Sequence, residues 1–336
     1  MIAFQHVSVT RLDPRAKPLL LDDVSFSIAP GEIFGITGPK GAGKSSLLHT
    51  VNGLLRPTQG DVIVDGQPLS TLSGRELPQL RRKVGMALPA PALAASLSLA
   101  ENIVLPLMAA RMKSSEIGPR VDELLALTGL EGLGGSPSNK LALQQQKRGA
   151  IARALSSKPK ILLCLEPAYG LEPAAGEDIL SLLENIQKEL GLTLVIATRD
   201  VHAIKRLCSR AAVLDSGKIV ELSDTYSLFS KPEHPFTKEF LSGQLSFELP
   251  AEVREHAYGT IVCIEYMDDA ANEPVLYEVA QRFGVEFNIL QGHIEYIGGK
   301  ALGRMYVSFS AEPALMVSVV TYLKEHTYRA EVVQDV

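Results

Sequence analysis

Cysteine is scarce: the 336 residues hold three, Cys164, Cys208 and Cys263. They lie far apart without metal-ligand spacing. An odd number set in apolar stretches excludes a disulfide framework and points to packing roles in a reducing compartment. A basic excess is missing too. Lys and Arg number 33 against 38 Asp and Glu, a formal net charge of −5, so the electrostatic footprint of a nucleic-acid binder is absent and no nucleic acid is expected as a partner. No run reaches the roughly 18 uninterrupted apolar residues of a membrane helix. The opening Met1-Ile2-Ala3-Phe4-Gln5-His6 reads as a strand and lacks the charged-then-apolar layout of a signal peptide. These absences predict a soluble, cytoplasmic chain, long enough for two domains.

What the chain does have is Gly38-Pro39-Lys40-Gly41-Ala42-Gly43-Lys44-Ser45, a fit to G-x-x-x-x-G-K-[ST]. Glu32–Thr37 before it reads as a short buried strand, and Ser45–Val51 after it as an amphipathic helix. A glycine loop at that junction can turn its backbone N–H groups inward around a phosphate, helped by the positive end of the helix. Lys44 would reach the outer phosphates and the Ser45 hydroxyl would take one place on a magnesium ion. An ordinary glycine-rich turn is the competing reading. It does not require Gly38, Gly43 and Lys44 together between strand and helix, and phosphate binding does. The ATP-binding candidates are therefore Gly38, Pro39, Lys40, Gly41, Ala42, Gly43, Lys44, Ser45 and Ser46.

Along the chain, residues 1–30 alternate as strands around the loop Asp13–Pro18, and Asp61–Gly66 is a strand closed by a turn. Val84–Leu88 is another strand, followed by an unusually apolar stretch from Pro89 to Ala110. Helical spacing recurs over Ser115–Thr128 and Gln144–Ser156. Gln144-Gln145-Gln146 reads as a solvated helix face. Lys160–Leu165 is a continuous apolar run of buried parallel-strand character. Helices and strands then alternate to about Phe229, which indicates a parallel α/β core. Residues 231–258, with Pro232, Pro235 and Pro250, read as a connector. Beyond it the order β-α-β-β-α-β is that of a ferredoxin-like sheet.

These landmarks carry a resemblance. The glycine loop, Arg81-Arg82-Lys83-Val84-Gly85-Met86, Glu101–Leu107, Ala150-Ile151-Ala152-Arg153-Ala154-Leu155, Lys160–Glu166 and Val213–Glu221 resemble the ATP-binding subunits of ABC transporters, and among them the methionine importers. The C-terminal unit looks like the NIL domain that those importers append, with Asn288-Ile289-Leu290 in the corresponding strand. The implied architecture is an α/β P-loop NTPase core of ABC ATPase type (residues 1–230), the connector (231–258) and a ferredoxin-like βαββαβ regulatory domain (259–336). The resemblance further implies ATP and Mg2+ as ligands, a membrane permease as partner and a homodimer or heterodimer of ATP-binding subunits. It places the chain peripherally on the inner face of the plasma membrane. Methionine enters as a candidate allosteric ligand, contacted by Asn288, and the apolar stretch as a seat for the permease.

Departures from the family pattern cluster at the chemistry. The glutamine that should follow Val84–Leu88 is Pro89. The signature Leu-Ser-Gly-Gly-Gln falls within Lys140-Leu141-Ala142-Leu143-Gln144-Gln145-Gln146, without serine or glycine. The Walker B end Asp-Glu is Leu165-Glu166, the D-loop is Tyr169-Gly170-Leu171-Glu172, and the switch histidine is Arg199. The adenine-stacking position offers Arg11 and Leu12. A carboxylate at 165 would hold magnesium through its water shell, and leucine cannot. Signature amides would stabilise the charge of phosphoryl transfer across a dimer, but Leu143 and Gln144 add side chains where the backbone must approach closely. Glu166 remains as the remnant general base. Two readings stay open at this point: an ATP-binding importer subunit whose own hydrolysis is weak or lost, and a non-hydrolysing regulatory protein that binds ATP and methionine.

Overall fold

The computed structural model describes residues 1–10, 19–89, 92–242, 249–268 and 273–334. The chain divides into two compact units, Met1–Leu228 with Glu233–Phe240, and Phe229–Pro232 with Leu241–Val336. Strands of the first unit are β1 (Ile2–Thr10), β2 (Leu19–Ile28), β3 (Ile33–Thr37), β4 (Gln59–Val64), β5 (Gln67–Pro68), β6 (Val84–Ala87), β7 (Ile161–Leu165), β8 (Thr193–Ala197), β9 (Arg210–Asp215) and β10 (Lys218–Asp224). Those of the second are β11 (Thr260–Met267), β12 (Glu286–Ile297), β13 (Lys300–Ser310) and β14 (Arg329–Gln334).

The larger sheet runs β10-β9-β3-β8-β7-β6, parallel from β9 through β6 with β10 antiparallel at the edge. Every residue of β7 and β8 is buried, as strands covered on both faces require. The glycine-loop strand β3 sits between β9 and β8, with β7 next along. Because these strands are parallel, their C-terminal ends finish on one edge, the place where open α/β sheets hold ligands.

The sequence pattern predicts the parallel core; the structure adds a separate antiparallel sheet, β2-β1-β4-β5. A stack of rings joins the two layers. Phe4 of β1 stacks on Phe26 of β2 at 4.5 Å between centroids, and Phe26 on Phe34 of β3 at 5.3 Å. Around them Ile2, Val62, Leu47 and Ile36 are at most 1% exposed, and one continuous core supports both sheets.

The second unit pairs its strands as β12-β13-β11-β14, all antiparallel. The helices Val275–Phe283 and Pro313–His326 follow the first and third strands, which completes the βαββαβ order of a ferredoxin-like fold. Val262, Ile264, Val307 and Phe309 from the sheet meet Val279, Val319 and Leu323 from the helices. Strand alternation turns Ile261, Cys263 and Tyr306 to the opposite face, where they join Leu249 and the half-buried Val253 and Ala257. The stretch read as a connector is thus partly structured. Pro235–Ser242 and Ala251–His256 are helical, and residues 233–240 belong to the first unit.

Phe309 is fully buried at the centre of the second unit's core. Phe309→Ala should destabilise that unit by about 3–5 kcal/mol, read as an earlier unfolding step in a urea titration. A transition identical to wild type would contradict this account of the core.

Candidate nucleotide site

The loop after β3 is built on glycine for two different reasons. Gly38, Gly41 and Gly43 have φ of 137°, 86° and 113°, values that L side chains rarely adopt. A Cβ on Gly38 would also lie 2.0 Å from the Leu214 carbonyl oxygen, and one on Gly43 2.8 Å from that of Leu20. Gly41 has nothing within 4 Å of that position. The loop is therefore clamped at both ends by backbone and open in its middle, a cradle suited to an anion.

Lys44 opens the helix Lys44–Val51 and is 6% exposed. Its Nζ donates to the Gly38 carbonyl at 2.6 Å and the Pro39 carbonyl at 2.9 Å. Those carbonyls stand in for the phosphate oxygens that such a lysine can take. Burial pushes the Lys44 pKa down to about 8, with Glu166 opposing the shift and Arg199 adding to it. Ser45 is exposed in the first turn and Ser46 half-buried. Ala42 packs into the core at 3% exposure.

Glu166 follows β7 with a φ of 50°, and its backbone N–H donates to the Ala197 carbonyl at 2.8 Å. Both oxygens of its carboxylate have partners in the chain. Oε2 accepts from the Thr198 hydroxyl at 2.8 Å and the Arg199 backbone N–H at 3.3 Å. Oε1 faces Arg199 Nε at 3.5 Å. The Arg199 guanidinium lies over the Tyr169 ring at 5.1 Å from the centroid. Behind the strand end, buried Lys147 donates to the Glu166 carbonyl at 3.1 Å, and desolvation lowers its pKa. A general base must have a lone pair aimed at the proton it removes; here the carboxylate oxygens are turned to their own chain.

Leu165, Pro89 and Ala142 occupy three of the other departing positions. Leu165 is 9% exposed and part of the apolar core. Pro89 is half-buried. Ala142 caps the helix Leu143–Ala154 with no side-chain hydrogen bond. The glutamines are not a solvated face. Gln145 Oε1 accepts the Ala142 N–H at 3.0 Å, Gln146 Nε2 donates to the Leu141 carbonyl at 2.8 Å, and Gln144 Nε2 donates to Asp178 at 3.1 Å. Gln145 supplies the N3 half of a capping box and Gln146 also ties to the helix start, while Gln144 reaches the helix Pro173–Leu190. Arg11 and Leu12 lie outside the described residues.

Asn288 belongs to the second unit. It is exposed on β12 opposite Ser308 and lines a cavity of about 500 Å3 with His256, Tyr258, Phe287 and Leu290. Sequence reasoning did not single out Thr198 or Lys147. Thr198 reaches Glu166 from the end of β8 and Lys147 from the helix Leu143–Ala154, and neither carries a local motif.

A glycine-loop strand at the centre of a parallel sheet, with a lysine at the helix start, defines a P-loop NTPase of the ABC ATPase type. The family model described as ABC transporter matches residues 21–169, and the one described as NIL domain matches residues 260–332. The methionine import ATP-binding protein MetN 2 of Salmonella typhimurium is 41% identical over 337 residues, 99% of this chain and 100% of that one. MetN 1 of Pectobacterium atrosepticum is 38% identical over 340 residues, 100% of both. A dimeric structure of the ATP-binding cassette MJ0796 in a post-hydrolysis state, bound to ADP and Pi, superposes with a TM-score of 0.62 at 31% identity, covering 67% of this chain and 99% of that one. The chain belongs to the ABC transporter ATP-binding family, in its methionine-import group that carries a C-terminal NIL domain.

The depressed Lys44 pKa gives a pH test. Below about pH 8 the ammonium is charged in the free protein; above it the charge is lost, and an anion must restore the proton on binding. ATP affinity should therefore be flat on the acid side of that value and fall on the alkaline side, with proton uptake seen by calorimetry in buffers of different ionisation heat. Lys44→Arg, whose guanidinium stays charged through this range, should bind ATP more weakly and without the inflection. A flat profile through that range would exclude Lys44 as the phosphate contact.

Proposed function

We propose that this protein is the ATP-binding subunit of a methionine importer, docked peripherally on a membrane permease at the inner face of the plasma membrane. In this reading it binds ATP and hydrolyses it poorly. The observation that carries it is an intact glycine loop, with Lys44 in place, on a chain alike over its whole length to methionine import ATP-binding proteins. The ATP-binding domain is assigned to residues 1–230, the connector to 231–258 and the NIL-type regulatory domain to 259–336. No helix among the described residues is long and apolar enough to cross a membrane, so the membrane contact in this proposal runs through the permease.

The loop residues suit a nucleotide. Gly38 to Ser46 would hold the phosphates, Lys44 the outer ones, leaving the triphosphate to supply the reactive anhydride. The residues do not suit magnesium. Mg2+ demands oxygen ligands in near-octahedral array. Here Ser45 is one donor, Leu165 and Pro89 supply none, and Glu166 is tied to Thr198 and Arg199. Removing one preorganised transition-state group typically costs about 10²–10³ in rate. Such losses are not additive, but they act together in one direction.

ABC ATPase subunits close head to tail, so each ATP lies between one loop and the partner's signature. A homodimer of this chain would have both sites impaired. In a heterodimer with an intact relative, the relative's own loop would face Leu141-Ala142-Leu143-Gln144. Mixing this chain with a competent methionine-importer subunit should lower the ATPase rate per competent subunit, and Ala142→Ser, Leu143→Gly and Gln144→Gly together should restore it. Leu165→Asp with Arg199→His should leave the relative's site impaired. An unchanged or raised rate, with mixed dimers verified by mass photometry, would overturn the proposal. Lys44→Ala should abolish ATP binding by the chain itself.

The second unit is proposed to sense methionine at Asn288, supported by the cavity that residue lines. Calorimetry on the full chain should detect methionine binding that Asn288→Ala weakens about tenfold, the loss of one polar contact. No heat with wild type would remove the sensing role while leaving the ATP reading standing.

A further inference from the structure

We propose that Arg199 is the cation with which this site meets the γ-phosphate of a nucleoside triphosphate, and that the nucleotide it takes is the metal-free form. The inference rests on the nucleotide reading above and concerns how the same site neutralises its ligand.

Three features support it. The first is position. Thr198 donates its backbone N–H to the Ile36 carbonyl at 3.0 Å, so Arg199 leaves β8 beside the point where β3 turns into the glycine loop. Lys44, Arg199 and Glu166 lie close enough that the latter two both perturb Lys44. The second is charge. Lys44 and Arg199 against Glu166, with Lys147 behind the strand end, leave the empty site at least one positive charge in excess, where two carboxylates with a single lysine would leave one negative. A site of the second kind repels a triphosphate that brings no divalent cation, and the first kind attracts it unaided. A metal ion riding on the phosphates would meet two fixed cations there, with the Ser45 hydroxyl and the paired Glu166 as the protein's oxygen ligands.

The third feature is how loosely Arg199 is held. Its Nε stands 3.5 Å from Glu166 Oε1, well beyond the roughly 2.7–2.9 Å of a tight charge-assisted bond. Its side chain is 40% exposed. Tyr169 supports one face of the guanidinium without a hydrogen bond. A planar fork of donors matches two phosphate oxygens better than a single carboxylate oxygen at this distance. Glu166 then acts as the resting counter-ion of Arg199, exchanged for phosphate when the nucleotide arrives. Arg199 becomes a positioning group for the ligand, and Glu166 a competitor for it.

The experiment is titration of the full chain with ATP and ADP, in magnesium and in EDTA, by calorimetry. Wild type should bind ATP as tightly in EDTA as in magnesium, and about tenfold more tightly than ADP, one charge-assisted contact's worth. Arg199→Ala should lose that preference; Arg199→Lys should keep part of it. Glu166→Gln should tighten ATP binding in EDTA by freeing the guanidinium. Leu165→Asp with Arg199→His should make binding require magnesium. ATP binding by wild type only when magnesium is present would overturn the inference alone, and this comparison needs no variant to fold. Unchanged ATP affinity in a folded Arg199→Ala would do the same. No ATP binding under either condition would overturn the nucleotide reading and this inference together.

Discussion

The parallel pairing of β3 with β8, and of β8 with β7, is the constraint on which the site depends. It sets Thr37, Ala197 and Leu165 at the ends of neighbouring strands. Everything after those residues, the glycine loop, Thr198-Arg199 and Glu166, is thereby delivered to one edge from three distant parts of the chain. The strands can lie side by side only because they are apolar on both faces. Burial of Leu163, Val195 and Ile36 thus determines where Lys44 and Glu166 stand, although none of these core residues touches the site.

Within that frame the polar residues answer one another. Losing a carboxylate at 165 and gaining a guanidinium at 199 move the local charge in the same direction. Glu166 balances the change by pairing with Arg199 while Thr198 satisfies its other oxygen. Lys44 shows the limit of that compensation, since its pKa remains depressed to about 8. Desolvation of an ammonium in a loop of carbonyl oxygens outweighs the help of one carboxylate.

How much of this was legible beforehand follows from the range over which each feature is encoded. The glycine loop was readable because its geometry is dictated within a few contiguous residues, with Gly38 and Gly43 facing fixed carbonyls. The ferredoxin-like unit was readable because its two apolar periods alternate cleanly from Thr260 onward. The antiparallel sheet β2-β1-β4-β5 was hidden: β1 must choose partners from β2 and from β4, and strand propensity does not say which strands will pair. The Arg199–Glu166 pair was hidden as well, since only the register of β7 on β8 brings those side chains together. The glutamines misled for a subtler reason. Polar residues at a helix start look solvated, but the Ala142 N–H, the Leu141 carbonyl and the Asp178 carboxylate give these three partners that no local pattern announces.

That last arrangement makes the signature region hard to walk back through single changes. Glycine at 144 would release Asp178 on the next helix and introduce a residue about 1 kcal/mol poorer in helix propensity. Serine at 142 would add the missing half of a capping box, its hydroxyl accepting the Gln145 backbone N–H, so that position can change alone. Glycine at 143 and 144 loosens the helix start before any partner chain approaches it, and the gain from those two arrives only when both are in place.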